Sequence, residues 1–508
     1  MRTYVRLGLL LAVAGVVLVS SAETGASPGI TERVSVSSAG VQGTSDSGAW
    51  GRPAISADSR FVAFESFSNN LVSGDTNNAS DIFLRDRVMG TTARVSVSSG
   101  GNQASGFSFQ PTISSDGRYV AFESDAPDLV SPDANNANDI FVRDRQTGTT
   151  TRVGVRSDGT EANGPSYQPA ISANGRYVAF YSEATNLVSG DGNGFRDIFV
   201  RDRDTDADGI FDETGAVSTT RVSVSSGGVE GNGDSADAAI SSDGRYVAFY
   251  SDATNLVLGD TNGYGDVFVR DRQTSTTTRV SVDSGGNEAN GSSFQPAISS
   301  DGRYVAFYSA ATNLVLGDGN GSWDVFVRDR DTDADGIFDE TGAVSTTRVS
   351  VDSGGNQGNA NSSEPAISSD GRFVAFRSAA TNLVPGDTNG ADDIFVHDRQ
   401  TGATGAVSVD SAGNQGNGRS SAPSISSDGR FVAFYSVASN LVPGDTNGRQ
   451  DVFVHDRLTR VGGIAGLPDV ASHPSRSGGD DALLVALAAA GAGVLGVGAW
   501  YARRRWLR

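Results

Sequence analysis

One pattern of chemical promise occurs twice. From Asp202 to Val224, and again from Asp329 to Val351, the chain reads "DRDTDADGIFDETGAVSTTRVSV". Asp204, Asp206, Asp208 and Gly209 form D-x-D-x-D-G, with Asp212 and Glu213 just beyond. The second copy offers Asp331, Asp333, Asp335, Gly336, Asp339 and Glu340. Alternating carboxylates ahead of a Gly turn suit a hard cation. An EF-hand-type loop uses side-chain oxygens at positions 1, 3 and 5, a carbonyl at 7 and a bidentate acid at 12. Ile210 and Ile337 would supply the carbonyl, but Gly215 and Gly342 stand at position 12. Asp212 or Glu213, and Asp339 or Glu340, would have to replace that acid. The expected cofactor is calcium, held as a structural clip because no helical pattern flanks either loop. The competing reading is a solvated acidic loop.

A second acidic pattern recurs more widely. Asp-x-Asn-x-x-x-Asp begins at Asp75, Asp133, Asp191, Asp260, Asp318, Asp387 and Asp445. Its carboxylates could grip a cation with backbone oxygens. The alternative is an Asx turn, in which the side chains bond their own backbone, and that reading is preferred. Catalytic patterns are missing. Gly25 to Gly29 matches G-x-S-x-G but lies near the N-terminus, not between a strand and a helix. There is no Cys, and only 3 His. No catalytic residue and no cofactor-binding residue other than the metal ligands is assigned, and an enzyme is not expected.

These loops must be held by something periodic. "ISxDGRxVAF", with Ser59 for the Gly in the first copy and Asn174 for the Asp in the third, recurs with its Ile at 55, 113, 171, 240, 298, 367 and 425, so the intervals are 58, 58, 69, 58, 69 and 58 residues. The two long intervals contain the two acidic inserts. Each period reads as four short strands. In the fifth these are "QPAIS", a strand "RYVAFYS" after the Asp301-Gly302 turn, "DVFVRDR", and "TTRVSVDS". Seven such units without helices predict an all-β, seven-bladed β-propeller of four-stranded blades over 30–462. The last repeat lacks its fourth strand, while a spare copy, "TERVSVSS" from Thr31, precedes the first. The N-terminal strand is therefore expected to close the seventh blade and remove the open edges.

The repeat "PAISSDGRYVAFYS…DVFVRDR…TTRVSV" resembles the blades of TolB-type propellers, over about Thr31 to Val461. The resemblance implies a propeller fold. It does not imply TolB's own role, because TolB has six such blades, an additional α/β domain and no anchor. The recurrent Asp-Gly-Arg and the Asp-Arg after each third strand (Asp86-Arg87 to Asp456-Arg457) are expected to be turns and ion pairs. The residue before that Asp is Arg in the first five blades and becomes His397 and His455 in the last two. A neutral exchange is preferred there over a pH switch.

Composition and the two ends set the expected surroundings. The net charge is −21, which disfavours nucleic acid as a partner. Residues 1–22 have the basic, apolar and small-residue parts of a signal peptide. Residues 463–481 read as a flexible linker rich in Gly, Pro and Ser. Ala482 to Tyr501 is an uncharged span of membrane length, followed by a basic tail, 502–508, expected on the cytoplasmic side. "LPDVA" (Leu467 to Ala471) resembles a sortase motif, but Val470 and Ala471 stand where Thr and Gly belong. The expectation is an exported, membrane-anchored, monomeric propeller outside the cell, binding a glycan or an envelope or extracellular protein. The alternatives are a carbohydrate-active hydrolase or lyase with its site at the ring axis, and a structural surface-layer component.

Overall fold

The structure, a computed structural model, describes residues 29–48 and 51–458. The expected signal peptide, linker, anchor helix and tail lie outside the described residues. Within them the chain is all-β: 28 strands form seven antiparallel sheets of four, and there is no helix. The propeller that the TolB-type repeat implied is the fold observed. Blades one to six span 54–94, 108–152, 166–221, 235–279, 293–348 and 362–406, each a run of hairpins from the axis outward.

Blade seven contains Ser420–Ile425, Phe431–Ser436 and Asp451–Asp456, and its outer strand is Ile30–Arg33 from the other end of the chain. That strand runs antiparallel from Ile30↔Asp456 to Arg33↔Phe453. Closure by the N-terminal strand is thus as the repeat count predicted.

The second strands were read as alternating, and their burial is different. In blade two all six residues of Tyr119–Ser124 are buried. Each blade is covered by a neighbour on both faces, so both sets of side chains are inside. The core accordingly lies between blades. In one of the inter-blade clusters Ala121, Ile140 and Val142 of blade two pack on Val178, Phe180 and Phe199 of blade three. The junction between blades seven and one is built alike, from Val34, Val62, Phe64, Val452 and Val454.

The polar repeats fasten this stack. The Asp-Gly-Arg arginine pairs with the Asp after the third strand in the same blade, as Arg118 Nη2 does with Asp144 Oδ2 at 2.7 Å. The following Arg stacks on an aromatic ring of the preceding blade: Arg145 lies 4.2 Å from the Phe61 centroid, and Arg272 lies 4.6 Å from that of Tyr177. Gly117 of the hairpin turn has φ +72, and a Cβ there would lie 2.3 Å from the Phe61 ring. Glycine is required there both for the turn and for its fit against the preceding blade.

Candidate functional site

The two inserts connect the third and fourth strands of blades three and five. Carboxylate oxygens of Asp204, Asp206 and Asp208 lie within 4.8 Å of one another, and so do those of Asp331, Asp333 and Asp335. Asp204 accepts hydrogen bonds from the Asp208 and Gly209 amides, both at 3.1 Å, and Asp208 accepts one from Ile210 at 2.8 Å. Desolvation and a hydrogen bond shared with Asp331 push Asp333 above the usual carboxylate range. Against desolvation, the Gly336 amide and that same bond hold Asp331 below it.

The structure gathers only three of the expected side-chain ligands in each loop. Asp212 is taken by Arg203, with Nε to Oδ1 at 3.0 Å and Nη2 to Oδ2 at 2.5 Å, and Asp339 is taken likewise by Arg330. Each arginine is also wedged between aromatics. Arg203 is 5.1 Å from Tyr119 of the preceding blade and 5.0 Å from Phe211 of the insert. Glu213 and Glu340 are left as the acids not engaged by that arginine, and the exposed Ile210 and Ile337 stand at the loop tips. Asp212 and Asp339 therefore fasten the insert to the ring.

The seven Asp-x-Asn loops form Asx turns, as preferred above. Asn77 Oδ1 accepts from the Ala79 amide at 3.1 Å, and Asn389 Oδ1 from Ala391 at 2.7 Å. Their two aspartates have a further role. They clasp an arginine from the outer strand of the same blade, as Asp260 and Asp266 clasp Arg279 at 3.2 and 3.1 Å. A third acidic group, Asp133, Asp139 and Glu161, encloses the Arg152 guanidinium. It already holds its cation. His397 and His455 are buried, and their Nδ1 atoms meet Thr404 Oγ1 at 2.9 Å and Thr31 Oγ1 at 2.8 Å.

A cavity of about 690 Å³ runs along the ring axis and is lined by the innermost strands. Near its loop-rich mouth the blades stop being alike. The residue at the corresponding axial position is Arg52, Gln110, Gln168, Asp237, Gln295, Glu364 and Ala422 in blades one to seven. From blade two onward this residue sits in a β-bulge with φ between 46 and 57. A bulge re-aims the side chain. Six left-handed non-glycine residues in one ring also amount to strain of the kind stored at functional sites.

These axial groups are connected. Arg52 Nη1 donates to the Pro365 carbonyl at 2.8 Å, and Nη2 donates to Gln295 Oε1 at 3.2 Å, which joins blade one to blades five and six. Glu364 accepts from Arg377 at 2.8 Å and from the Ala422 amide at 2.7 Å. Arg377 also reaches Asp392 at 2.7 Å. Glu123 accepts from Asn138 and from the Gln168 amide, yet burial pushes its carboxyl up to about 7. Burial also raises Asp237, with Arg52 and Gln168 opposing.

Aromatic rings stand beside this polar ring. Phe294, next to Gln295, is 4.7 Å from Tyr250 and 5.6 Å from Trp323, and Phe109, next to Gln110, stacks 5.9 Å from Phe107.

The sequence reading overlooked this site. Gln295 of "QPAIS" lies in a short strand, as expected, and nothing in that strand's pattern marks its side chain for the axis. The signal was present in the column three residues before the repeat's Ile, where seven aligned repeats carry five residue types, most of them polar or charged.

No protein-family model and no curated protein matches the chain. Solved structures similar to it include TolB from Acinetobacter baumannii, at 15% identity and a TM-score of 0.35 over 64% of this chain. The chain spans 58% of that protein's length. An oligogalacturonate lyase in complex with manganese is similar at 11% identity and a TM-score of 0.47, over 80% of this chain and 88% of the lyase. The β-propeller domain of the Trilobed protease from Pyrococcus furiosus is similar at 10% identity and a TM-score of 0.45, over 82% of this chain and all of that one. At such values nothing about ligand or chemistry passes to this chain.

Proposed function

We propose that this chain is an exported, membrane-tethered binding propeller that receives a hydroxyl-rich ligand, a glycan, at the loop-rich mouth of its axis. The observation that carries this reading is the broken symmetry there. Seven similar blades diverge at one axial position, held by Arg52, Gln110, Gln168, Asp237, Gln295, Glu364 and Ala422 and bulged from blade two onward. Amide, carboxylate and guanidinium groups give converging hydrogen-bond donors and acceptors, while Phe294, Tyr250 and Trp323 offer flat apolar faces. Concave sites with a few placed polar groups suit small ligands, and sugars present both hydroxyls and apolar ring faces. Calcium at the two inserts would steady the opposite face without taking part in binding. Export and tethering rest on the two ends of the sequence.

Glycan-array binding by the purified chain tests the proposal. Phe294→Ala and Gln295→Ala should each weaken a positive signal at least about tenfold, as expected when a stacked ring or a buried polar partner is lost. Equal binding by both variants and the wild type would place the ligand elsewhere.

A second reading, a carbohydrate-active hydrolase or lyase, is favoured by the axial acids Asp237 and Glu364 and by Glu123, which lies behind Gln168. A carboxyl raised to about 7 is suited to donating a proton at neutral pH. Reducing-end release from oligosaccharides, lost in Glu123→Gln and Asp237→Asn with binding kept, would establish it.

A further inference from the structure

The clasp of two aspartates around an arginine is present in six blades and interrupted in one. Arg94, Arg152, Arg221, Arg279, Arg348 and Arg33 fill it in blades one to five and seven, each bridged to both aspartates of its loop. In blade six the equivalent residue is Ala406, which pairs with Phe395 as Arg94 pairs with Phe83. Asp387 and Asp393 remain. Among the described residues no arginine side chain bridges either of them. Where the guanidinium lies in the other blades there is instead a cavity of about 130 Å³, lined by Asp387, Asp393, Phe395, Ala406 and Gln415 and bordered by the exposed Pro385 and Gly386.

Local rearrangement has not compensated for the loss. Gln415 Nε2 donates to Asp387 Oδ1 at 2.6 Å and to Asp393 Oδ2 at 2.9 Å. Gln103 makes the same two bonds in blade one, at 2.9 and 3.0 Å, with Arg94 also in place. Gln415 is therefore part of the ordinary clasp and no substitute for the cation. Asn389 and Ser408 likewise bond Asp393 at 2.9 and 2.6 Å, as Asn447 and Ser35 bond Asp451 in blade seven, where Arg33 is present.

We infer that the blade-six cavity is a binding site for a guanidinium group carried by a ligand or partner, seated between Asp387 and Asp393 from the loop-rich face. Six copies of the same carboxylate pair, in the same fold, already ligate that group. A planar guanidinium satisfies two carboxylates with directed bonds, which a spherical ion of the same charge does not. The shortened side chain at 406 leaves room for the two carbons and the guanidinium that would complete an arginine. The site lies at the rim of the ring and is independent of the axial proposal.

Ethylguanidinium is the probe, because it is the part by which arginine exceeds alanine, and neutral ethylurea is its control. Calorimetry on the purified full chain in EDTA should show one bound ethylguanidinium and no ethylurea, and Ala406→Arg should abolish that binding. Ala406→Arg should itself raise Tm by roughly 1–2 °C, as a restored clasp would. Asp387→Asn should weaken ethylguanidinium at least about tenfold. One peptide separates the sources: Gly-Arg-Gly binding as tightly as the probe points to an arginine side chain of a partner, and its exclusion points to a free small molecule.

The inference fails if ethylguanidinium binds the wild type and Ala406→Arg equally, or binds neither while Ala406→Arg leaves Tm unchanged. It also fails if Ala406→Arg reduces the number of calcium ions bound per chain by one, since the cavity would then be a metal site.

Discussion

At the scale of single residues, similar carboxylates are tuned in opposite directions by what surrounds them. Asp144 and Asp271 are held down to about 2: burial opposes this, but Arg118 or Arg245 and local backbone amides outweigh it. Glu123 has amide partners but no arginine, so burial wins and its carboxyl rises to about 7. The consequences for stability have opposite signs. A group raised from 4.5 to about 7 binds its proton more tightly when folded, so the stability it lends is lost as pH rises through that window. Asp144 and Asp271 lend stability above pH 4 that is lost as pH falls towards 2. Glu123→Gln should therefore reduce the fall in Tm between pH 5 and pH 8 and leave the acid limb unchanged. Thermal melts across pH decide this, and an unchanged slope in the variant would exclude Glu123 as the titrating group.

At the scale of elements, the ring depends on four residues from the far end of the chain. Ile30–Arg33 supplies the outer strand of blade seven, and Arg33 bridges Asp445 and Asp451 at 3.1 and 3.2 Å. His455 lies beneath it, bonded to Thr31, and burial pushes its imidazole down to about 4. A base lowered from 6.5 to about 4 is neutral in the fold but protonated in the unfolded chain, so stability falls as pH drops through that window. Asp456 favours the charged form and Arg457 disfavours it, and neither overcomes the burial. His455→Gln should flatten the stability profile between pH 6.5 and pH 4, which denaturant titrations at several pH values would measure. Deleting residues 23–38 should expose the edge of Asp451–Asp456 and lower Tm by about 10 °C or more. A truncation as stable as the parent would mean that the closure carries no load.

This closure was legible in the sequence because a strand was missing at one end and spare at the other. The axial ring was hidden by the same repetition. Periodicity directs attention to what recurs, and the site resides in the column that varies. The interrupted clasp was hidden for a second reason. Ala406 is unremarkable until Arg94 and its counterparts are seen between their aspartates, and that contact joins residues far apart in the chain, from Arg94 with Asp81 to Arg33 with Asp451.

At the scale of the whole molecule, the stack is a ring of like interfaces, and the two inserts are departures from it that are identical to each other. Each is fixed to the preceding blade by an aromatic contact: Phe211 packs 5.3 Å from Tyr119, and Phe338 packs 5.3 Å from Tyr246. The clusters at Asp204 and Asp331 therefore sit over equivalent blade junctions. Calcium bound there would join the loop to the junction and oppose separation of the blades. With Asp212 and Asp339 engaged by arginine, only three side chains in each loop remain gathered for the ion, so the affinity should be modest, in the range of about 10⁻⁴–10⁻³ M seen in extracellular modules. Identical sequences in equivalent settings should bind independently. Calorimetry should give two equal sites, one in Asp204→Asn, and none in the variant that also carries Asp331→Asn. Saturating calcium should raise the Tm of the wild type by a few degrees and that of the double variant not at all. Arg203→Gln would release Asp212 as a further ligand, so it should tighten calcium at the first site while lowering stability in EDTA. If neither insert binds calcium in the wild type or in Arg203→Gln, the acidic spacing serves only the turn, and Asp212 with Arg203 is the entire fastening.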